Sequence, residues 1–252
     1  IEHLLESVLI ELGLEYKEQV KIENRFADFV IPEYNLAIEA DGLFWHSDAI
    51  NENDSYHKQK KQLYKENGLD TLFFREDEIT NKLDIVKSII ANKIGNSERI
   101  FARKCKIIQA KNQDFFKQNH LMGKGSGKSI FLTYNNEIVT GLRYVKKEDG
   151  IHISRFCHKL GTTVVGGYSK LIKHLETLEN PNKIITFIDL RYGNGEYLVD
   201  LGFNKASEHL SFRWVKDAQT FPRQKFTGNT GYENRCFKLW DCGQARYEKS
   251  RV

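Results

Sequence analysis

The sequence predicts a mixed α/β chain in two parts. Three observations carry that prediction: helical and period-2 apolar patterns alternate along the chain, GNSE at residues 95–98 punctuates them, and the charge reverses across that point. Residues 1–97 carry 11 Lys and Arg against 19 Asp and Glu, whereas the remainder carries 27 against 15, within an overall net charge of +4. A basic part able to hold a polyanion, joined to an acidic part rich in metal ligands, suits a nucleic-acid enzyme with separate modules. The expected domains are therefore 1–97 and 98–252.

The elements follow in order. Leu5, Val8, Leu9 and Leu12 recur at helical spacing and Gly13 ends the pattern, so a first helix is expected. EYKEQVKI, RFADFVI and NLAIEA alternate as strands, and YHKQKKQLYKEN is a lysine-rich helix stopped by Gly68. TLFF is a short buried strand, and Ile79 to Ile94 a single closing helix. In the second part KCKIIQA reads as a strand, Asp114–His120 as a helix, and SIFLTY and EIVTGLRYV as a hairpin turning at Asn135-Asn136. IHISRFCHK is a further strand and GGYSKLIKHLETL a helix entered through glycines. IITFIDL, the end of GEYLVDLGF and SFRWVK are expected to complete one sheet. No apolar run is long enough to span a bilayer, so no membrane association and a cytoplasmic location are expected. The first residue is Ile rather than Met, which leaves an upstream segment open. Cys105, Cys157, Cys236 and Cys242 form no CxxC pair and are expected to stay reduced.

The chemistry concentrates at EADGLFWHSD, residues 39–48, where an apolar strand ends in charge. Glu39 and Asp41 share a face of that strand, and pairing with the preceding strand brings Asp28 beside them. Neighbouring carboxylates repel unless a cation neutralises them, and a hard ion such as Mg²⁺, or Mn²⁺, suits all-oxygen ligands. The expected metal ligands are therefore Asp28, Glu39 and Asp41, with the choice between the last two open. Such an ion activates water for phosphodiester hydrolysis, and His46, titrating near neutrality, is the candidate general base.

The run Asp28, ten residues, then Glu39-Ala40-Asp41 resembles the core of the PD-(D/E)xK nucleases, with Asp41 where that family usually has lysine. The stretch Ala40-Asp41-Gly42-Leu43-Phe44-Trp45-His46 is more closely similar to the very-short-patch-repair (Vsr-like) branch. Tyr56-His57, Gly68, TLFF and Glu76-Asp77-Glu78 extend the likeness to related phage homing endonucleases. The resemblance spans roughly residues 1–94 and implies a restriction-endonuclease-like mixed sheet with flanking helices. It also implies a catalytic glutamate at Glu2, with Glu6 as its rival, and adds His57 to Asp28, Asp41 and His46. The chain departs from the repair branch, which has a histidine at position 41, an apolar residue at position 39 and zinc-binding cysteines. On residue type alone His57 is a solvated histidine, and Phe44 and Trp45 are core or cleft wall rather than wedges between bases. Lys58, Lys60 and Lys61 form a solvated face that can also meet phosphates.

In the basic part, GKGSGKS at residues 123–129 nearly matches a phosphate-binding loop, but the first glycine would fall on Met122. The order of elements around it is also reversed, which points to a flexible cationic loop. The order helix, three strands, glycine-entered helix, strand, helix, strand resembles the GNAT-like acetyltransferase fold, as does Asn194 to Phe203. The Arg or Gln of the acyl-CoA signature is missing before Val164-Val165-Gly166-Gly167, so no cofactor site is expected there. The expected partner is double-stranded DNA and the chain is expected to be monomeric. Candidate contacts, interleaved with aromatics, are Lys58, Lys61, Lys124, Lys128, Arg143, Arg155, Lys159, Lys170, Arg191, Arg213, Arg223, Lys225 and Arg235. These features together predict a Mg²⁺-dependent endonuclease of duplex DNA, of the phage homing kind. The alternatives are a restriction or repair endonuclease, a CoA-dependent DNA-modifying acyltransferase with an accessory nuclease, and an inactive DNA-binding protein.

Overall fold

The computed structural model describes residues 1–251. The elements run α1 (Glu2–Glu11), β1 (Lys17–Ile22), β2 (Arg25–Ile31), β3 (Leu36–Asp41), α2 (Tyr56–Glu66), β4 (Asp70–Arg75), α3 (Glu76–Asn81) and α4 (Leu83–Lys93). Then come β5 (Glu98–Phe101), β6 (Lys106–Gln109), α5 (Gln113–Asn119), β7 (Lys128–Tyr134), β8 (Glu137–Lys147), β9 (Gly150–His158), β10 (Thr162–Val165), α6 (Gly167–Glu179) and β11 (Lys183–Asp189). The chain closes with β12 (Asn204–His209), β13 (Phe212–Lys216), β14 (Gln219–Pro222), α7 (Thr230–Glu233), β15 (Phe237–Trp240) and β16 (Gln244–Ser250). The mixed α/β class expected from the sequence is the class observed.

Two compact units divide the chain differently from the expected break at 97. One comprises residues 1–83, 188–194 and 208–245, and the other 84–187, 195–207 and 246–251. The first is built on a four-stranded sheet, β1-β2-β3-β4, antiparallel except for the parallel pair β3–β4. All six residues of β3 are buried, because both faces of this strand are covered, and its apolar run pays for carrying Glu39 and Asp41 inside. Leu5, Val8 and Leu9 of α1 are buried at the expected helical spacing. A second sheet of this unit, β14-β13-β15, holds the segment SFRWVK. That corrects the expectation that SFRWVK extends the large sheet. Leu43 packs against Val215 and Leu239, and Ser47 bridges to Leu239, so the segment after β3 is anchored on β15.

A buried ionic network ties the sequence-distant pieces of this unit together. Arg75 donates to Glu78 and, at 2.6 Å, to Asp241, while Arg191 donates to both oxygens of Glu78 and to Asp189. Such charges are tolerated inside only because each is paired and hydrogen-bonded.

The second unit is built on a seven-stranded sheet, β12-β16-β11-β9-β8-β7-β6, beside the short parallel pair β10-β5. β7, β8 and β9 form the expected antiparallel run, with Asn135 and Asn136 both at positive φ in the hairpin turn. β9 and β11 pair in parallel at Ile151↔Ile184 and His152↔Ile185. The expected single helix from Ile79 to Ile94 is two, because Lys82 leaves helical geometry at φ −144°. KCKIIQA contains the short edge strand β6, which follows the 3-10 turn Ala102–Lys104. The loop at 123–129 is held rather than free: Arg143 donates to the carbonyls of Lys124 and Gly125, and Arg155 to that of Gly123. Gly127, at φ +112°, lies where a Cβ would stand 2.1 Å from the Tyr144 carbonyl oxygen. All four cysteines are free thiols. Among the described residues no helix is long and apolar enough to cross a membrane.

Candidate active site

Strand register assembles the site. Gln19 on β1 falls opposite Asp28 on β2, one step beyond Val20↔Ala27, and Asp28 falls opposite Glu39 on β3, one step beyond Phe29↔Ile38. Asp28 Oδ2 accepts the Ala40 N–H at 2.8 Å, and Oδ1 accepts the Gln19 side-chain amide at 3.3 Å. The same amide reaches Glu2 at 3.5 Å, so Glu2 is tied to Asp28 through Gln19. Gln19 adopts φ 45°, a region disfavoured for a residue with a side chain. Glu6, the rival of Glu2, instead accepts from the Tyr16 hydroxyl at 2.7 Å.

Helix α2 supplies the opposite wall. His57, Lys60 and Tyr64 recur on one helical face and are buried, contrary to the expectation that His57 and Lys60 are solvated. Lys60 Nζ donates to Glu39 Oε2 at 2.5 Å, with the two residues 5% and 1% exposed. Burial pushes Glu39 up to about 8, against the pull of Lys60 and with the help of the Asp28 and Asp41 charges. Burial would lower Lys60, but Glu39 outweighs it and holds the ammonium above its ordinary value. The other carboxylate oxygen, Glu39 Oε1, is buried with no hydrogen-bond partner.

Asp41 meets two histidines. His57 Nε2 lies 3.2 Å and His46 Nδ1 3.6 Å from Asp41 Oδ1, and the two ring nitrogens are 3.1 Å apart. Burial works against ionising Asp41, but His57, His46 and Lys60 hold its carboxyl well below the usual range. Burial lowers His46, helped by the charges on His57 and Lys60 and opposed by Asp41. Between these groups, the Leu43 N–H donates to Glu76 at 2.9 Å and fixes the turn that carries His46. Phe44 and Trp45 are 52% and 69% exposed, so they are not core.

The structure therefore brings together Glu2, Asp28, Glu39, Asp41, His46 and His57, and adds Gln19 and Lys60. The sequence places Lys60 on a solvated face that can meet phosphates and does not single out Gln19. The periodicity His57, Lys60, Tyr64 was a usable signal for Lys60, whereas nothing local marks Gln19.

The expected DNA contacts divide sharply. Arg143 and Arg191 are each 2% exposed, with Arg143 donating to Ser129 and loop carbonyls and Arg191 to Glu78 and Asp189, so neither offers charge to a phosphate. Lys170 is spent on the carbonyls of Ala102 and Cys105, and Arg155 on those of Gly123 and Ser154. Lys159 pairs with Glu137, Lys128 with Glu179, Lys58 with Glu208, and Lys61 donates to the Leu190 carbonyl. Lys124 lies 3.9 Å from Asp114, and Arg213 donates to Thr220. Arg223, Lys225 and Arg235 are exposed. Exposed cations that the sequence reading passed over, Arg99, Lys104, Lys106, Lys111 and Lys117, have no acidic partner among the described residues.

Among curated proteins none matches the chain. Among solved structures, a catalytic domain of the homing endonuclease I-Bth0305I is similar at 26% identity, over 36% of this chain and 90% of that one, with a TM-score of 0.32. A GNAT family acetyltransferase from Elizabethkingia anophelis is similar at 11% identity, over 59% of this chain and 99% of that one, with a TM-score of 0.38. The ribosomal-protein-S18-alanine N-acetyltransferase from Escherichia coli is similar at 12% identity, over 58% of this chain and 93% of that one, with a TM-score of 0.38. The stretch that holds Glu2, Asp28, Glu39, Asp41 and His46 lies wholly inside residues 1–52, which match the family described as DNA mismatch endonuclease Vsr.

Proposed function

We propose that the chain is a divalent-metal-dependent endonuclease of duplex DNA, acting as a phage-type homing endonuclease, with catalysis in the unit that contains residues 1–83. The observation that carries this reading is the orphaned Glu39 Oε1, buried in a strand register that faces Asp28. A buried carboxylate oxygen without a donor needs a proton or a cation to complete it, and with Asp28 opposite, these residues fit a hard ion such as Mg²⁺ or Mn²⁺. Asp28 and Glu39 would hold it, and a bound ion would supply positive charge for the phosphate and acidify a water.

The chain's own groups do the rest. Lys60 keeps Glu39 from being repelled by Asp28 and Asp41. The His46 imidazole, whose protonated form burial disfavours, accepts the proton of the attacking water. Glu2 orients Asp28 through Gln19, and His57 with Asp41 positions the His46 ring. The exposed cations Arg99, Lys104, Lys106, Lys111 and Lys117 hold phosphates in place of the internally paired ones.

The test is incubation of phage and host genomic DNA with the protein and Mg²⁺, Mn²⁺ or EDTA, with new ends mapped by sequencing. Cleavage is expected with either ion and none in EDTA. Intact DNA under all conditions would sink the reading. The order α5, β7–β9, glycine-entered α6, β11 resembles the GNAT-like order and favours a second reading, an acyltransferase. Saturable acetyl-CoA binding in a calorimeter would favour it.

A further inference from the structure

We propose that Asp41, His46 and His57 form a three-ligand site for an imidazole-preferring divalent ion, Zn²⁺ above all, separate from the all-oxygen position at Asp28 and Glu39. Its effect on cleavage rests on the nuclease reading; the site itself does not.

The donor atoms Asp41 Oδ1, His46 Nδ1 and His57 Nε2 mark a triangle with edges of 3.1, 3.2 and 3.6 Å. Donors bound to one Zn²⁺ at about 2.0–2.2 Å, at angles between octahedral and tetrahedral, lie roughly 3.0–3.5 Å apart. The triangle thus has the size of one face of a coordination polyhedron. Two imidazole nitrogens at 3.1 Å cannot both present lone pairs to each other without a proton or a cation to reconcile them. Two nitrogens and one carboxylate oxygen suit Zn²⁺ and its neighbours better than Mg²⁺, which favours oxygen. His57 and Asp41 are 3% and 4% exposed and so are fixed by packing, whereas His46 is partly exposed. Three protein ligands with one open side match sites that keep a position for water or an anion.

Occupation has a consequence for cleavage. An ion on His46 Nδ1 takes that lone pair, and the other ring nitrogen then carries the hydrogen, so the ring loses its capacity to accept a proton. Zn²⁺ is therefore expected to suppress Mg²⁺-supported cleavage.

The test uses the full chain freed of metal by chelation and dialysis. Zn²⁺ is titrated against a chromophoric chelator, and Co²⁺ is added as a visible-band probe. One equivalent is expected to bind, with X-ray absorption on the zinc-loaded parent showing two imidazoles. His57→Asn and His46→Gln should each weaken Zn²⁺ binding by at least about 100-fold, and Asp28→Asn should leave it within about twofold, since ligand loss exceeds the roughly 10–100-fold effect of outer partners. Because His57 is buried, the exposed-side variant His46→Gln and the parent's absorption spectrum decide the matter if His57→Asn fails to fold. Absence of stoichiometric binding, or affinity that follows Asp28 and not the histidines, overturns the proposal. Zn²⁺ binding without any DNA cleavage would support the site while removing the nuclease reading.

Discussion

Lys60→Met is expected to reduce metal-supported DNA cleavage by about 100-fold or more, the scale seen when one preorganised charge is removed from a site. The ammonium of Lys60 is the cation closest to Glu39, which is 1% exposed and unpaired at its other oxygen. Removing one partner of a buried ion pair costs about 3–5 kcal/mol, because the remaining charge is left without compensation. Glu39 would escape part of that penalty by taking a proton, since burial already pushes it up to about 8. The sign follows from the proton count. A carboxyl whose folded value lies above its unfolded one retains a proton the unfolded chain has released, so stability falls as pH rises through that window. The window opens near the ordinary glutamate value and closes near 8 in the parent, and it extends higher in Lys60→Met. Urea unfolding at pH 6 and pH 9 should therefore separate the variant from the parent more widely at pH 9. The double variant Lys60→Met with Glu39→Gln should recover much of the stability and none of the activity. Recovery of cleavage in the double variant would show that the pair serves folding alone.

Glu78→Ala is expected to lose about 3–5 kcal/mol of stability, the cost of breaking a buried charge network from one side. Glu78 accepts Arg191 at 2.8 and 3.1 Å, the Arg75 N–H at 3.0 Å and the Tyr192 hydroxyl at 3.1 Å. Burial opposes its ionisation, but Arg191 and Arg75 outweigh burial and bring its carboxyl down to about 2. A depressed carboxyl stabilises the fold above its unfolded value and loses that contribution as pH falls toward its folded value. The span from 4.5 to about 2 corresponds to about 3 kcal/mol at 1.36 kcal/mol per pH unit. Urea midpoints measured from pH 5 to pH 2 should fall steeply for the parent, and less steeply for Glu78→Gln. Equal slopes would mean that the network does not carry this unit's acid sensitivity.

The parts of the site that share one hairpin and the next strand were legible in the sequence. Asp28, Glu39 and Asp41 lie on strands whose two-residue alternation fixes which side chains meet, so pattern alone brought them together. Lys60 was not, because a lysine-rich helix looks solvated until the inward spacing of His57, Lys60 and Tyr64 is weighed against composition. The membership of residues 208–245 in the first unit was hidden for a different reason. It depends on pairs such as Arg75 with Asp241, 166 residues apart, which no local pattern announces. The same holds for Arg143 and Arg191: a basic residue among aromatics reads as a phosphate contact, and only tertiary burial reveals an internal hydrogen-bond donor. The mixed class and the β7–β9 meander were legible from alternation and the Asn135-Asn136 turn. The β10-β5 pair was not, since four-residue strands carry too little pattern.

The most direct test of the account is single-turnover cleavage of duplex DNA by the parent and by Asp28→Asn, at saturating protein and in Mg²⁺. Asp28→Asn keeps the shape of the side chain and an oxygen for the Ala40 N–H, so the fold and DNA affinity should persist. Cleavage should fall by about 1,000-fold or more, as expected when a group essential to charge stabilisation is neutralised. Cleavage by Asp28→Asn at the parent's rate, with DNA affinity unchanged, would contradict the placement of catalysis at this site.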